Sequence, residues 1–201
     1  RTTSVTLGTR YPVRAAALNP PTVTGQLATG ASGDLRVDHD GSRIDACALT
    51  DARPNATSIR YHANYNELDN TGAFVYENGI TYRETDSGIL QRTDQQLVDG
   101  STIRLFPVVA ESFSTGSSSS EQLRFVPGET GVKTVDVSAS EELDITFFSR
   151  LDEDGWNEIL GDADDFDSVD DSAPDDTVTV TLSPSSDTTY TVRCTPVGVG
   201  S

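Results

Sequence analysis

Apolar and polar residues alternate in short runs along most of this chain, and Gly, Asp and Asn break the runs. A period of two sends alternate side chains to opposite faces of a strand, so the pattern predicts antiparallel sheet rather than βαβ units. "TSVTLGTRYP" reads as a first strand ended by Pro12. Asn19-Pro20-Pro21 reads as an extended corner, because Pro fixes φ and biases its predecessor toward β. "DLRVDHDGSRIDACAL" is a hairpin pattern, with the turn pair Asp40-Gly41 between Leu35/Val37 and Ile44/Ala46/Ala48. Residues 57–110 are the most regular region, in the order "TSIRYHANYNELDN", "GAFVYENGITYRE", "GILQRTDQQLVDG" and "STIRLFPVVAE". Asn78-Gly79 and Asp99-Gly100 supply turns there, so a meander of four or five strands is predicted, each burying one face.

The second half yields strands at "EQLRFVP", "KTVDVSAS" and "ELDITFFSR", then one helix. Asp152 or Asp154 can cap that helix, Trp156, Ile159 and Leu160 fall on one face, and Gly161 is placed to end it. The acidic run "DADDFDSVDDSAPDD" reads as a hydrated connection, and "DTVTVTL" with "TTYTVRCTP" as a final hairpin about Pro184 to Asp187. The fold class expected is mainly β: antiparallel β-sandwich or meander sheets with one short α-helix at about 152–161. Ser114 to Ser120 is predicted to be a flexible loop. It would join an N-terminal β region (1–113) to a C-terminal one (121–201), packed as one domain or two.

Charge changes the picture from fold to solvent. The formal net charge is −18, from 14 basic and 32 acidic side chains, and Lys133 is the single Lys. Such a surface repels itself in dilute buffer, whereas molar salt, with a Debye length of about 3 Å, removes the repulsion. Abundant short carboxylates, scarce Lys and absent Met suggest a hypersaline medium; an acidic mesophilic extracellular domain is the plainer rival. Nucleic acid and anionic membranes should be repelled, since no basic cluster offsets phosphate charge. No run of 18 apolar residues is present. Arg1 in place of an initiator Met suggests a trimmed or processed ectodomain. Cys47 and Cys194 lack CxxC or Cys-His spacing, so a disulfide and an oxidising compartment are expected, against two buried free thiols. Asn55-Ala56-Thr57 is a glycosylation sequon in a polar stretch, with Asn55 the candidate acceptor.

Candidate chemistry is thin. An EF-hand loop needs oxygen ligands at positions 1, 3 and 5. Counting from Asp152, Asp162 or Asp165 puts Trp156, Phe166 or Val169 at position 5. A looser Ca²⁺ or Mg²⁺ site at Asp162, Asp164, Asp165 and Asp167 is the weak alternative to a hydrated loop. With so many acids, a pair spaced for glycoside hydrolysis carries no weight by itself. His39 and His62 are the two imidazoles and no GxSxG elbow is present, so nucleophilic hydrolysis lacks its signature and zinc lacks ligands. Tyr61, Tyr65, Phe74, Tyr76 and Tyr82 crowd the meander, where they either pair across strands or offer rings to sugars or partners.

The segments "TLGTRYP", "NPP", "YNELDNTGAFVYENGITYR", "LVDGSTIRL", "LDEDGWNEIL" and "VGVGS" resemble an uncharacterised group of haloarchaeal membrane-anchored surface proteins, in order along nearly the whole chain. The resemblance implies a type IV pilin-like N-terminal helix as membrane anchor and a β-rich ectodomain outside the cell, of which this chain would be the ectodomain. It carries no catalytic motif and no cysteine pattern. The function expected is non-enzymatic: a pilin-like or adhesin-like ectodomain for display, assembly or cell-surface contact. Partners would be other surface proteins or further copies of the chain, with no nucleic acid, no resident cofactor and the membrane met only through an anchor. The alternatives are a surface module binding glycan or a divalent cation and, more remotely, a surface hydrolase.

Overall fold

The computed structural model describes residues 2–6, 23–33, 35–47, 56–65, 72–86, 88–110, 113–117, 120–173 and 176–200. Pro12, Asn19 to Pro21 and the sequon residue Asn55 lie outside these. In the first half the strands are β1 (Thr2–Thr6), β2 (Val23–Gly33), β3 (Leu35–His39), β4 (Ser42–Arg43), β5 (Ala56–Tyr65), β6 (Ala73–Glu77), β7 (Ile80–Thr85), β8 (Gly88–Gln91), β9 (Val98–Asp99), β10 (Thr102–Leu105) and β11 (Val108–Val109). Then come β12 (Ser114–Ser117), β13 (Ser120–Pro127), β14 (Gly131–Val137), β15 (Leu143–Phe148), helix α1 (Glu153–Leu160), β16 (Phe166–Ala173), β17 (Thr177–Leu182), β18 (Thr188–Cys194) and β19 (Val197–Gly200).

The mainly-β expectation holds, with one short helix among the described residues. A ten-stranded sheet runs β1-β13-β19-β11-β5-β6-β7-β8, with β2 on β5 and β12 on β2. A five-stranded sheet runs β16-β17-β15-β3-β4, and a four-stranded sheet runs β14-β18-β10-β9. Most pairs are antiparallel, but β10 lies parallel to β18, and β11 to β19. These two strand pairs leave the four-stranded sheet together and enter the ten-stranded one, past Pro107 on one chain segment and Pro196 on the other. The ladder survives the crossing, because Thr195 N–H donates to Leu105 O and Val197 N–H to Pro107 O. Proline can sit there because the bend leaves its missing donor without a partner to satisfy.

β5 to β8 form the meander expected from the alternation, and its turn is built as the sequence predicts. Asn78 and Gly79 have φ of 44° and 84°, the left-handed pair that a tight hairpin requires. Asp40 and Gly41 (φ 47° and 68°) make the same turn between β3 and β4. Four expectations need correcting. "STIRLFPVVAE" is not one meander strand: β10 and β11 fall in different sheets. Ser114–Ser117 is strand, hydrogen-bonded to β2, because Thr115 and its neighbours extend that strand's edge. The acidic run is not simply a connection, since Phe166–Ala173 forms edge strand β16 on β17, with register shifts after Phe166 and Asp170. One apolar residue, Val169, is buried and anchors it. Finally, β17 and β18 are not a hairpin, because the segment from Pro184 to Asp187 carries the chain from the five-stranded to the four-stranded sheet. Every sheet draws strands from both sides of residues 114–120, so the two regions interleave.

The main core lies between the five- and four-stranded sheets, the inner side of the meander and the helix. Val75, Ile80, Tyr82, Ile103, Ile145, Phe147, Trp156, Leu160, Val180, Tyr190 and Val192 are all buried in it. A second core, around Leu27, Leu123, Val108 and Val199, fills the curl of the ten-stranded sheet, and Ile59, Tyr61, Tyr76, Phe113 and Phe125 pack on it. Cys47, just beyond β4, is bonded to Cys194 at the end of β18, with Cα atoms 5.1 Å apart. Gly131 opposes Cys194 on β14, and its bare Cα admits the Ala46 carbonyl beside the disulfide.

Candidate functional site

The polar centre of the molecule is where the β6–β7 turn meets the β15–α1 junction. In "AFVYENG" the alternation places Ala73, Val75 and Glu77 on the core side of the sheet. Glu77 is 1% exposed. Ser149 Oγ donates to its Oε1 at 2.6 Å, and the Arg150 N–H lies 3.3 Å from both carboxylate oxygens. The next residue of the turn, Asn78, donates from Nδ2 to Phe148 O at 3.2 Å. Two adjacent turn residues thereby satisfy backbone groups where β15 ends and the helix has not begun.

Burial pushes the Glu77 carboxyl up to about 7, against the lowering effects of Ser149, the Arg150 N–H, Tyr82 and the Arg150 charge. Tyr82 is buried beside it, and its phenol is pushed upward by burial first and by the Glu77 charge second. No hydrogen bond of good geometry reaches the Tyr82 hydroxyl. The Arg150 guanidinium turns to Glu84 on β7, with Nη2 at 2.8 and 3.1 Å from its two oxygens.

Ser149 is the hub. Its Oγ accepts from Leu151 N–H at 3.0 Å and from Trp156 Nε1–H at 2.8 Å while donating to Glu77. A hydroxyl has one proton and two lone pairs. All three are engaged, so the Ser149–Glu77 pair is a structural knot with no lone pair left for nucleophilic attack. Trp156 packs edge-on against Phe147, ring centroids 5.0 Å apart, which locks the helix to β15.

An open pocket of about 250 Å³ lies alongside, lined by Ser149, Arg150, Asp152, Asp171, Asp176 and Thr177 among others. Its charges are largely committed to structure. Asp152 caps the helix by accepting from Gly155 N–H at 2.9 Å, Asp171 accepts from Glu153 N–H at 3.1 Å, and Arg150 is held by Glu84.

The residues nominated from sequence disperse. Asp162 and Asp164 are exposed in the turns after the helix, and Asp167 is exposed at the irregular start of β16. Asp165 is architectural: its Oδ2 accepts from the Tyr190 hydroxyl at 2.6 Å, and its carbonyl accepts from Ser183 N–H. Among the described residues no three His, Cys, Asp or Glu side chains gather to hold a metal ion. His39 is held in the sheet. It ends β3, with Nδ1 3.0 Å from Glu142 O and Nε2 3.7 Å from Glu141. His62 is half-buried on β5 opposite Ala73. Glu77 and Ser149 were not singled out from sequence, and Asn78 only as a turn residue. One signal pointed to the first: a carboxylate at a core-side position of the strand alternation.

The meander aromatics divide by side. Tyr82 is fully buried in the main core. Tyr61 and Phe74 are cross-strand partners on the other side, with Arg83 next to Phe74 and Leu90 next to Arg83. Phe74 is 41% and Leu90 51% exposed. The Arg83 guanidinium carbon lies 5.8 Å from the Phe74 ring centroid.

The chain matches no protein-family model, no curated protein and no solved structure. Its class is therefore given by the molecule itself: a disulfide-bonded, strongly acidic, mainly-β domain. The disulfide fits an oxidising compartment. Among the described residues no helix is long and apolar enough to cross a membrane.

Proposed function

We propose that this chain is the non-enzymatic extracellular ectodomain of a haloarchaeal cell-surface protein, pilin-like or adhesin-like, working in display, assembly or cell-surface contact. The observation that carries this reading is the Cys47–Cys194 disulfide, since cytosolic thiol pools keep such pairs reduced. The −18 charge supports it, because an acidic surface suits a domain bathed in concentrated salt. The polar centre supports it too: Ser149, Glu77, Asp152 and Asp171 are engaged in holding the fold.

Lys133 makes a direct test available, because it is the chain's single lysine and is exposed on β14. Intact cells expressing the full-length protein are treated with a membrane-impermeant amine reagent, and free thiols are alkylated before digestion and mass analysis. Labelled Lys133 together with a Cys47–Cys194 peptide is the expected result. An unlabelled lysine with two alkylated cysteines would refute extracellular display.

A further inference from the structure

Glu77 is a buried ionisable group at the joint of two elements, and the protons around it can be counted. Ser149 Oγ accepts from Leu151 N–H and from Trp156 Nε1–H, so its single proton goes to Glu77 Oε1 at 2.6 Å. The Arg150 N–H, 3.3 Å from both carboxylate oxygens, is a second donor. Since both groups donate toward Glu77, the proton of a neutral Glu77 needs a different acceptor. The Tyr82 hydroxyl supplies one, because it is buried beside Glu77 and has no other hydrogen-bond partner of good geometry. A neutral Glu77 thus donates to Tyr82 and accepts from Ser149. Together with Asn78, which donates to Phe148 O, it fastens the β6–β7 turn to the β15–α1 junction.

Loss of that proton leaves a buried carboxylate with no cation in contact, which is costly. The charge that acts on Glu77 from the junction is Arg150, yet its guanidinium is held by Glu84 of β7 at 2.8 and 3.1 Å. Glu84 also lies 3.7 Å from Arg60 of β5, so it keeps a cation when Arg150 leaves. On β5 the residue next after the Ile59–Tyr76 pair is Ser58, buried and uncharged, and His62 stands at the far end of that pairing, opposite Ala73. The helix contributes the neutral Trp156 indole, and Asp176 its carbonyl to Ser149 N–H. Asp152 and Asp171, beyond Ser149, accept from helix amides and bring further negative charge. We propose that Glu77 is a proton-operated latch: neutral, it fastens the turn to the junction, and ionised, it draws the Arg150 guanidinium off Glu84 and shifts the junction. Arg150 follows Ser149 in the chain, so its movement passes to Ser149 Oγ and from there to the Trp156 indole. The open pocket of about 250 Å³ lined by Ser149 and Arg150 leaves the junction room to move.

Trp156 is the chain's single tryptophan, which makes its indole N–H an unambiguous probe. The test is an NMR titration of the isotopically labelled full chain in 2 M KCl, from about pH 5 to about pH 9. The Glu77 carboxyl carbon, the Trp156 Nε1–H and the Arg150 Nε–H should follow one transition near pH 7. In Glu77→Gln both N–H resonances should stay flat through that range. Glu84→Gln releases Arg150 in advance, so it should move the transition to lower pH. A Glu77 carbon that titrates in the ordinary carboxylate range would overturn the inference. So would a flat indole or a flat Arg150 Nε–H in the wild-type chain, or a transition that survives in folded Glu77→Gln. The wild-type carbon signal identifies the carrier of the proton even where the variant does not fold.

Discussion

Glu77 shows how one residue can set a pH dependence without any catalytic role. Its carboxyl titrates near 7 in the folded chain against an ordinary value of 4.5. The folded state therefore holds the proton more tightly than the unfolded state does. Stability from this group is fully present below about 4.5 and is lost as pH rises through about 7, a change of about 3 kcal/mol. Glu77→Gln keeps an acceptor for Ser149 and removes the titration. Relative to that variant, the wild-type chain should lose about 3 kcal/mol of unfolding free energy between pH 4.5 and 8 in constant molar KCl, read by denaturant midpoints. A flat difference would mean the carboxyl titrates normally. The sequence made this residue half-legible: alternation put a carboxylate on the core side, but its partner Ser149 lies 72 positions away. Such a pairing has no local signal, because a buried acid is decided by what folds over it.

At the scale of elements, the helix was readable because all its determinants are local. Asp152 accepts the Gly155 N–H, Gly161 closes the last turn by donating to Asn157 O, and Trp156, Ile159 and Leu160 share the buried face. Asp152→Ala should cost about 1 kcal/mol, measured by chemical denaturation, as the loss of one N-cap. The strands after it were harder, since β16 is mostly polar and is held by pairing to β17 and by Val169. Its carboxylates and register shifts also protect a sheet edge from pairing with another chain. β14 is the other long edge, and there Lys133, in register with Val192, is exposed. A charge on an edge strand obstructs edge-to-edge association. Lys133→Val should therefore promote self-association in molar salt, seen by sedimentation, while Lys133→Arg should not. The turn chemistry of Asn78-Gly79 and Asp40-Gly41 was fully local and was read correctly.

For the whole molecule, stability is argued from the disulfide and the surface charge. The Cys47–Cys194 bond closes a loop of 147 residues and ties the β3–β4 hairpin to β18 in the core. On a chain-entropy account such a bond stabilises by about 5 kcal/mol, so the double Cys47→Ala, Cys194→Ala variant should lose about 4–5 kcal/mol. Unfolding curves with and without reductant would check this against the single native bond. With −18 charges, the domain should lose the near-UV CD of Trp156 and its tyrosines as KCl falls from molar to about 0.1 M. A spectrum unchanged over that range would argue against adaptation to salt. By itself the sequence determined the β class, the turns, the helix, the cysteine pair and the acidic charge, because periodicity, left-handed turn residues, caps and net charge act over a few neighbours or over the whole composition. Tertiary structure decided which strands share a sheet, where Pro107 and Pro196 carry two parallel strands from one sheet to another, and that Glu77 is sealed beneath Ser149. It also decided that the aromatic meander keeps Tyr82 for the core and leaves Phe74 and Leu90 exposed. Those outcomes depend on contacts between residues tens of positions apart, and no local pattern records them.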